Sequence, residues 1–138
     1  MDSFLSKLAN PFTGLAHWLL RLGLGIDFFL HGYGKLPLPP EKLSGGFQSM
    51  GVPSPEILSS LVSLGEMGAG IGIILGGLLK GNIGNITTRL SGGAIGIIMI
   101  GAIVLVHLDW ISSGKIFTSE QIFLLLLGIY FAIMGNQK

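Results

Sequence analysis

Four runs of apolar residues, each near the length of a bilayer-crossing helix, constrain this chain more than any other feature. They cover residues 15–33, 57–79, 89–107 and 120–134, the last being the shortest. A helix of about 20 apolar residues crosses a hydrocarbon core of about 30 Å. Backbone in lipid must satisfy its own hydrogen bonds, which leaves helices or a closed barrel. None of the runs alternates with the period of two that a barrel strand needs, so helices are expected. Only 11% of the residues are charged and 49% are hydrophobic, whereas a soluble domain carries about 25% charged residues. The expectation is an all-α, integral membrane four-helix bundle. It forms a single domain over residues 1–138, with the lipid bilayer as its first partner.

The connections follow from the residues that break helices. Pro37-Leu38-Pro39-Pro40 cannot continue a helix. Residues 36–55, with Gly45, Gly46, Gly51 and Pro53, read as a long loop. A loop of that length in so small a protein is functional or folded back onto the bundle. Gly81-Asn82-Ile83-Gly84-Asn85 reads as a short turn. Residues 109–118 join the last two runs, with Trp110 at the interface and Ser119 or Thr118 as helix cap. Trp18, Tyr33, Trp110 and Tyr130 fall near span ends, as in an aromatic belt.

With four spans both termini share one side. That side holds Lys7, Lys80, Arg89 and Lys138; the other holds Lys35, Lys42 and Lys115 beside Glu41, Glu56, Asp109 and Glu120. The basic bias places both termini in the cytoplasm. The first residues lack a basic cluster and a small-residue cleavage site, so no removable signal peptide is expected and the first span directs insertion. There are no cysteines, which excludes disulfides, thiol catalysis, iron–sulfur ligation and covalent haem attachment. A net charge of +1 gives no case for nucleic acid.

Ionisable groups within spans are costly and face the bundle interior, a cavity or each other. Here they are Arg21, Asp27, His31 and Lys35 on the first span, Glu66 on the second and His107 ending the third. Asp27, His31 and Lys35 are spaced by four and rise along one helix face. Arg21 lies about 120° around from Asp27 and addresses another neighbour. Spans one and three ascend together, so His31, Lys35 and His107 are expected at the outer mouth of one cleft. Glu66 is expected about 14 Å below the outer end of its span, level with Asp27. It shares a face with Gly70, Ile73 and Gly77, and His107 with Gly96, Ile100 and Ile103. An intramembrane Arg21–Glu66 ion pair is expected, and no metal site. Gly68, Gly72 and Gly76 on the second span, and Gly92 and Gly96 on the third, form small-residue stripes that let helices approach closely.

The run Arg21-x-x-x-Gly25-x-x-x-x-x-His31-Gly32-x-x-Lys35 resembles the opening signature of the DoxX family. Gly51-Val52-Pro53, Glu66 in a glycine-rich second span and the stretch from Met99 to His107 resemble it too, over nearly the whole chain. The family is similar to the membrane subunit of thiosulfate:quinone oxidoreductase. The resemblance implies a small subunit of a membrane oxidoreductase complex, quinone-linked, in a bacterial or archaeal inner (cytoplasmic) membrane, with other subunits or further copies as partners. Quinone chemistry needs an apolar cleft open to lipid and proton donors near the carbonyl oxygens. Asp27, His31, Glu66 and His107 have the chemistry for catalysis; Arg21, His31, Lys35, Glu66 and His107 would bind the cofactor. A b-type haem between His31 and His107 is the disfavoured alternative. Two other readings stand beside this one: a non-catalytic structural or assembly subunit, and a small dimeric transporter.

Overall fold

The computed structural model describes residues 3–137, and among them there is no strand. The helices are α1 (Phe4–Ala9), α2 (Thr13–Tyr33), α3 (Glu41–Ser49), α4 (Pro55–Leu78), α5 (Gly81–Val106), α6 (Leu108–Ser113) and α7 (Glu120–Met134). Short 3-10 turns at Asn10–Phe12 and Lys115–Thr118 join α1 to α2 and α6 to α7. The long helices α2, α4, α5 and α7 occupy the four apolar runs. Helices α4 and α5 are long and apolar enough to cross a bilayer, while α7 is apolar but has 15 residues. Lys138, one of the four basic groups on the terminal side, lies outside the described residues.

In space α2 packs on α4, α4 on α5, and α5 on α7, with sparser contact between α2 and α7. Leu24, Phe28, Ala69, Ile73, Ile95, Met99, Leu124 and Phe131 form the shared core. The polarity runs opposite to that of a soluble bundle. Arg21, Ser59, Ser63, Glu66 and Thr88 are buried, while Leu61, Leu90, Ile97 and Ile133 are 60% to 73% exposed. Such an apolar exterior is a liability in water and a fit to lipid.

Glycines set the helix spacing, at positions that differ in part from the expected stripes. A methyl group on Gly25 of α2 would lie 2.8 Å from the carbonyl oxygen of Gly70 in α4, and one on Gly70 would lie 2.6 Å from the Phe29 amide. A methyl on Gly92 of α5 would lie 2.6 Å from the Ala132 amide and 2.7 Å from the Gly128 carbonyl of α7. Gly72 and Gly76 face Ser91 and Thr88 of α5 as a stripe should, but Gly68 and its added methyl would meet nothing within 4 Å. The stripe fails at Gly68 because 100° per residue carries a four-residue repeat off the contact face. The α2–α4 seam instead follows Gly25 with Gly32, and Gly70 with Gly77, each pair seven residues apart. Each pair therefore returns to one face after two turns.

The connections carry more structure than their breakers suggest. Residues 36–55 contain α3, which packs on α4 through buried Ser44 and Phe47. Gly51, at φ 74°, ends that helix in the left-handed region where glycine alone is unstrained. The expected turn at Gly81-Asn82-Ile83-Gly84-Asn85 is already helix; two extended residues, Leu79 and Lys80, reverse the chain. Gly84 and Asn85 keep their place in α5 because tertiary contacts offset their weak propensity. Gly84 fits beneath the Gly76 carbonyl, and Asn85 Oδ1 accepts the Asn136 amide at 3.0 Å. Ser119 does sit at the N-cap position of α7, but its hydroxyl turns back to donate to the Ile116 carbonyl at 2.6 Å. Tyr130 is partly buried and packs against the core.

Candidate functional site

The polar side chains gather at the two ends of the bundle. At the lower end, where α2 and α5 begin, Arg21 is 1% exposed. Its Nη1 donates to the Ile73 carbonyl and to Thr88 Oγ1 (3.0 Å); its Nη2 donates to Asn136 Oδ1 (2.9 Å) and lies 3.1 Å from His17 Nε2. The guanidinium carbon stands 4.9 Å from the Phe131 ring centroid. Gly77 makes room for it, since a methyl there would lie 2.6 Å from Arg21 Cδ. Thr88 donates to Asn136 Oδ1 (2.7 Å), and Asn136 Nδ2 donates to the Gly76 carbonyl (2.8 Å). The residues after α7 are thereby tied to α2, α4 and α5.

This arrangement corrects the expected Arg21–Glu66 pair. Among the described residues Arg21 has no carboxylate partner there, and Glu66 pairs with Lys35 at the opposite end. The axial offset of the helices is the reason. Gly32 packs against Ser63 and Met67, which puts Glu66 level with His31. The first turns of α4 then project beyond the end of α2, and α3 packs on them. Asp27 lies a turn of α2 below His31 rather than level with Glu66.

At the upper end Lys35 Nζ donates to Glu66 Oε2 at 2.5 Å and to the His31 carbonyl at 3.2 Å. The Glu66 side chain is 4% exposed and that of Lys35 26%. The long aliphatic stem lets lysine leave the end of α2 and place its charge in the bundle. A cavity of about 520 Å3 lies beside the pair. His31, Lys35, Glu66, His107 and Gln121 supply its polar groups, and Leu43, Phe47, Leu58, Val62, Met99 and Leu124 much of its apolar wall. Phe47 of α3 lines it, so the long connection folds back onto the bundle at this cavity. His107 ends α5 and stacks on Trp110 with ring centroids 3.7 Å apart; Lys115 Nζ stands 4.8 Å from the same indole. Leu61 and Ile97 also line the cavity and are 60% and 73% exposed, so it opens through the apolar flank of the bundle.

Of the six site residues expected from sequence, the structure brings His31, Lys35, Glu66 and His107 to this cavity. Arg21 is at the other end. Asp27 is absent from the lining and faces His31 and Glu120 instead: His31 Nε2 is 3.5 Å from Asp27 Oδ2 and 3.4 Å from Glu120 Oε1. Sequence reading missed Glu120, Phe47, Gln121 and Asn136. Only the first carried a signal, as a carboxylate at the start of an apolar run. The family model that matches this chain, described as DoxX, covers residues 16–108 and so stops short of α7. No curated protein and no solved structure gave a match.

Proposed function

This chain belongs to the DoxX family, and from that premise we propose that it spans the membrane four times and serves a membrane oxidoreductase complex by holding a quinone-type head group in the upper cavity. The observation that carries the reading is the cavity's opening. It passes between exposed Leu61 and Ile97 on the apolar flank and leads to half-buried Lys35 and buried Glu66. A lipophilic ligand reaches such a cleft from the bilayer, whereas a soluble anion does not. The volume of about 520 Å3 falls within the range of about 300–1,000 Å3 typical of small-molecule sites.

The four-span reading is supported by the apolar exterior around the whole bundle. At about 1.5 Å per residue, α2 is long enough to span, while α7 reaches only about 22 Å and needs its flanking turns or local bilayer thinning. The terminal end carries Lys7, Lys80 and Arg89, and the other end balances its lysines with acids. That bias puts the lower end in the cytoplasm of an inner membrane.

A quinone supplies two-electron carrier chemistry with carbonyl oxygens that take up protons. The Lys35 ammonium, fixed between Glu66 and the His31 carbonyl, is a positioned donor toward the cavity. His31 and His107 border the same space. Phe47 and Leu43 cover the group and exclude water. Electrons pass to or from a partner subunit or the substrate directly, since the sequence has no flavin or dinucleotide fingerprint and no cysteine.

Titration of a short-chain quinone analogue against detergent-purified protein tests this. His31→Ala and Glu66→Gln are expected to weaken binding by about tenfold or more, equivalent to about 1.4 kcal/mol, while helicity stays intact. Unchanged affinity in both variants, or no saturable binding to wild type, overturns the proposal.

A further inference from the structure

We propose that Asp27, His31 and Glu120 form a binding site for a borderline divalent cation such as Zn2+, bridging α2 and α7 beside the cavity. The three candidate ligand atoms, two carboxylate oxygens and an imidazole nitrogen, lie within 4.8 Å of one another. Nothing in the family match assigns such a site, since Glu120 falls outside the matched residues.

The histidine stands far enough from both carboxylates to leave room for a shared ion. His31 Nε2 stands 3.5 Å from Asp27 Oδ2 and 3.4 Å from Glu120 Oε1. A charge-assisted N–H···O bond is about 2.7–2.9 Å long. Two ligands each about 2.0–2.1 Å from a tetrahedral zinc sit about 3.4 Å apart. Asp27 Oδ2 is itself shielded from solvent, in a side chain 36% exposed overall, and makes no hydrogen bond among the described residues; its ion-pair partner is His31 Nε2 at 3.5 Å. Buried polar atoms are almost always satisfied, and this one is turned toward the His31 ring.

Charge balance points the same way. Two carboxylates face one imidazole, and the nearby ammonium of Lys35 is committed to Glu66. A divalent cation neutralises both acids at once. One nitrogen and two oxygen ligands suit zinc, with the Irving–Williams order placing Mn2+ below it. The half-exposed Glu120 side chain leaves a side open for water as a fourth ligand. The ion would also join α2 to α7, which touch far less than α2 with α4, α4 with α5 or α5 with α7.

The test is calorimetric titration of Zn2+ into chelator-stripped, detergent-purified full-length protein, with melting curves in parallel. One equivalent is expected to bind and to raise the melting temperature, since a ligand held only by the folded state stabilises it. Co2+ should give the intense visible bands of a tetrahedral site. Glu120→Gln and Asp27→Asn should each weaken binding by more than about 100-fold, because loss of even an outer hydrogen-bond partner of a ligand costs about 10- to 100-fold. Glu56→Gln, an exposed carboxylate elsewhere, should bind as wild type. Neither Asp27 nor Glu120 lines the cavity, so quinone-analogue binding failing or succeeding leaves this result separate. Absence of saturable Zn2+ binding, or binding that survives both Glu120→Gln and Asp27→Asn in helical, folded protein, overturns the site.

Discussion

Replacing Lys35 by Met should destabilise the bundle more than replacing its partner Glu66 by Met. The Glu66 carboxylate is 4% exposed and accepts from Lys35 Nζ at 2.5 Å. Lys35→Met strands that charge in an apolar interior, and losing one member of a buried pair costs about 3–5 kcal/mol. The opposite change is milder. The Lys35 side chain is 26% exposed and also donates to the His31 carbonyl. Its flexible stem can carry the ammonium to solvent, so Glu66→Met should cost about 1–2 kcal/mol. The double variant replaces two charges by apolar side chains of similar volume, a change that is often neutral or stabilising. It should fall within about 1 kcal/mol of wild type, a coupling of about 3 kcal/mol or more. Unfolding of the purified protein by a denaturing detergent, followed through Trp18 and Trp110 fluorescence and through helical circular dichroism, gives the four free energies of the cycle. Additive single effects, or a Glu66→Met penalty larger than that of Lys35→Met, would refute the reasoning.

The same unfolding assay checks two further expectations. Gly92→Ala inserts a methyl 2.6 Å from the Ala132 amide and should cost about 1–3 kcal/mol by forcing α5 from α7; Gly68→Ala meets nothing within 4 Å and should stay within about 0.5 kcal/mol of wild type or gain stability. Equal effects at the two positions would count against the described packing. Asn136→Ala removes the acceptor shared by Arg21 and Thr88 and the donor to the Gly76 carbonyl. It should cost about 1–3 kcal/mol and speed amide exchange in residues 134–137, and unchanged exchange there would remove the case for a tied terminus.

The sequence by itself determined the helices. Apolar runs near bilayer length leave the backbone one economical way to satisfy its hydrogen bonds, and α2, α4, α5 and α7 lie where those runs do. It also identified the costly groups, because a buried charge or histidine stands out in an apolar run. His31, Lys35, Glu66 and His107 were legible as a set for that reason, and all four border one cavity. Only the tertiary structure decided which of these groups meet. A helix presents a new level every 1.5 Å, so one turn of axial offset, about 5.4 Å, exchanges one partner for another. Gly32 against Ser63 and Met67 fixes that offset, giving Glu66 to Lys35 and leaving Arg21 to Thr88 and Asn136. The same registry brings Glu120 of α7 to Asp27 and His31 of α2. No spacing within one segment encodes a contact between residues 89 positions apart; the packing of the intervening helices does.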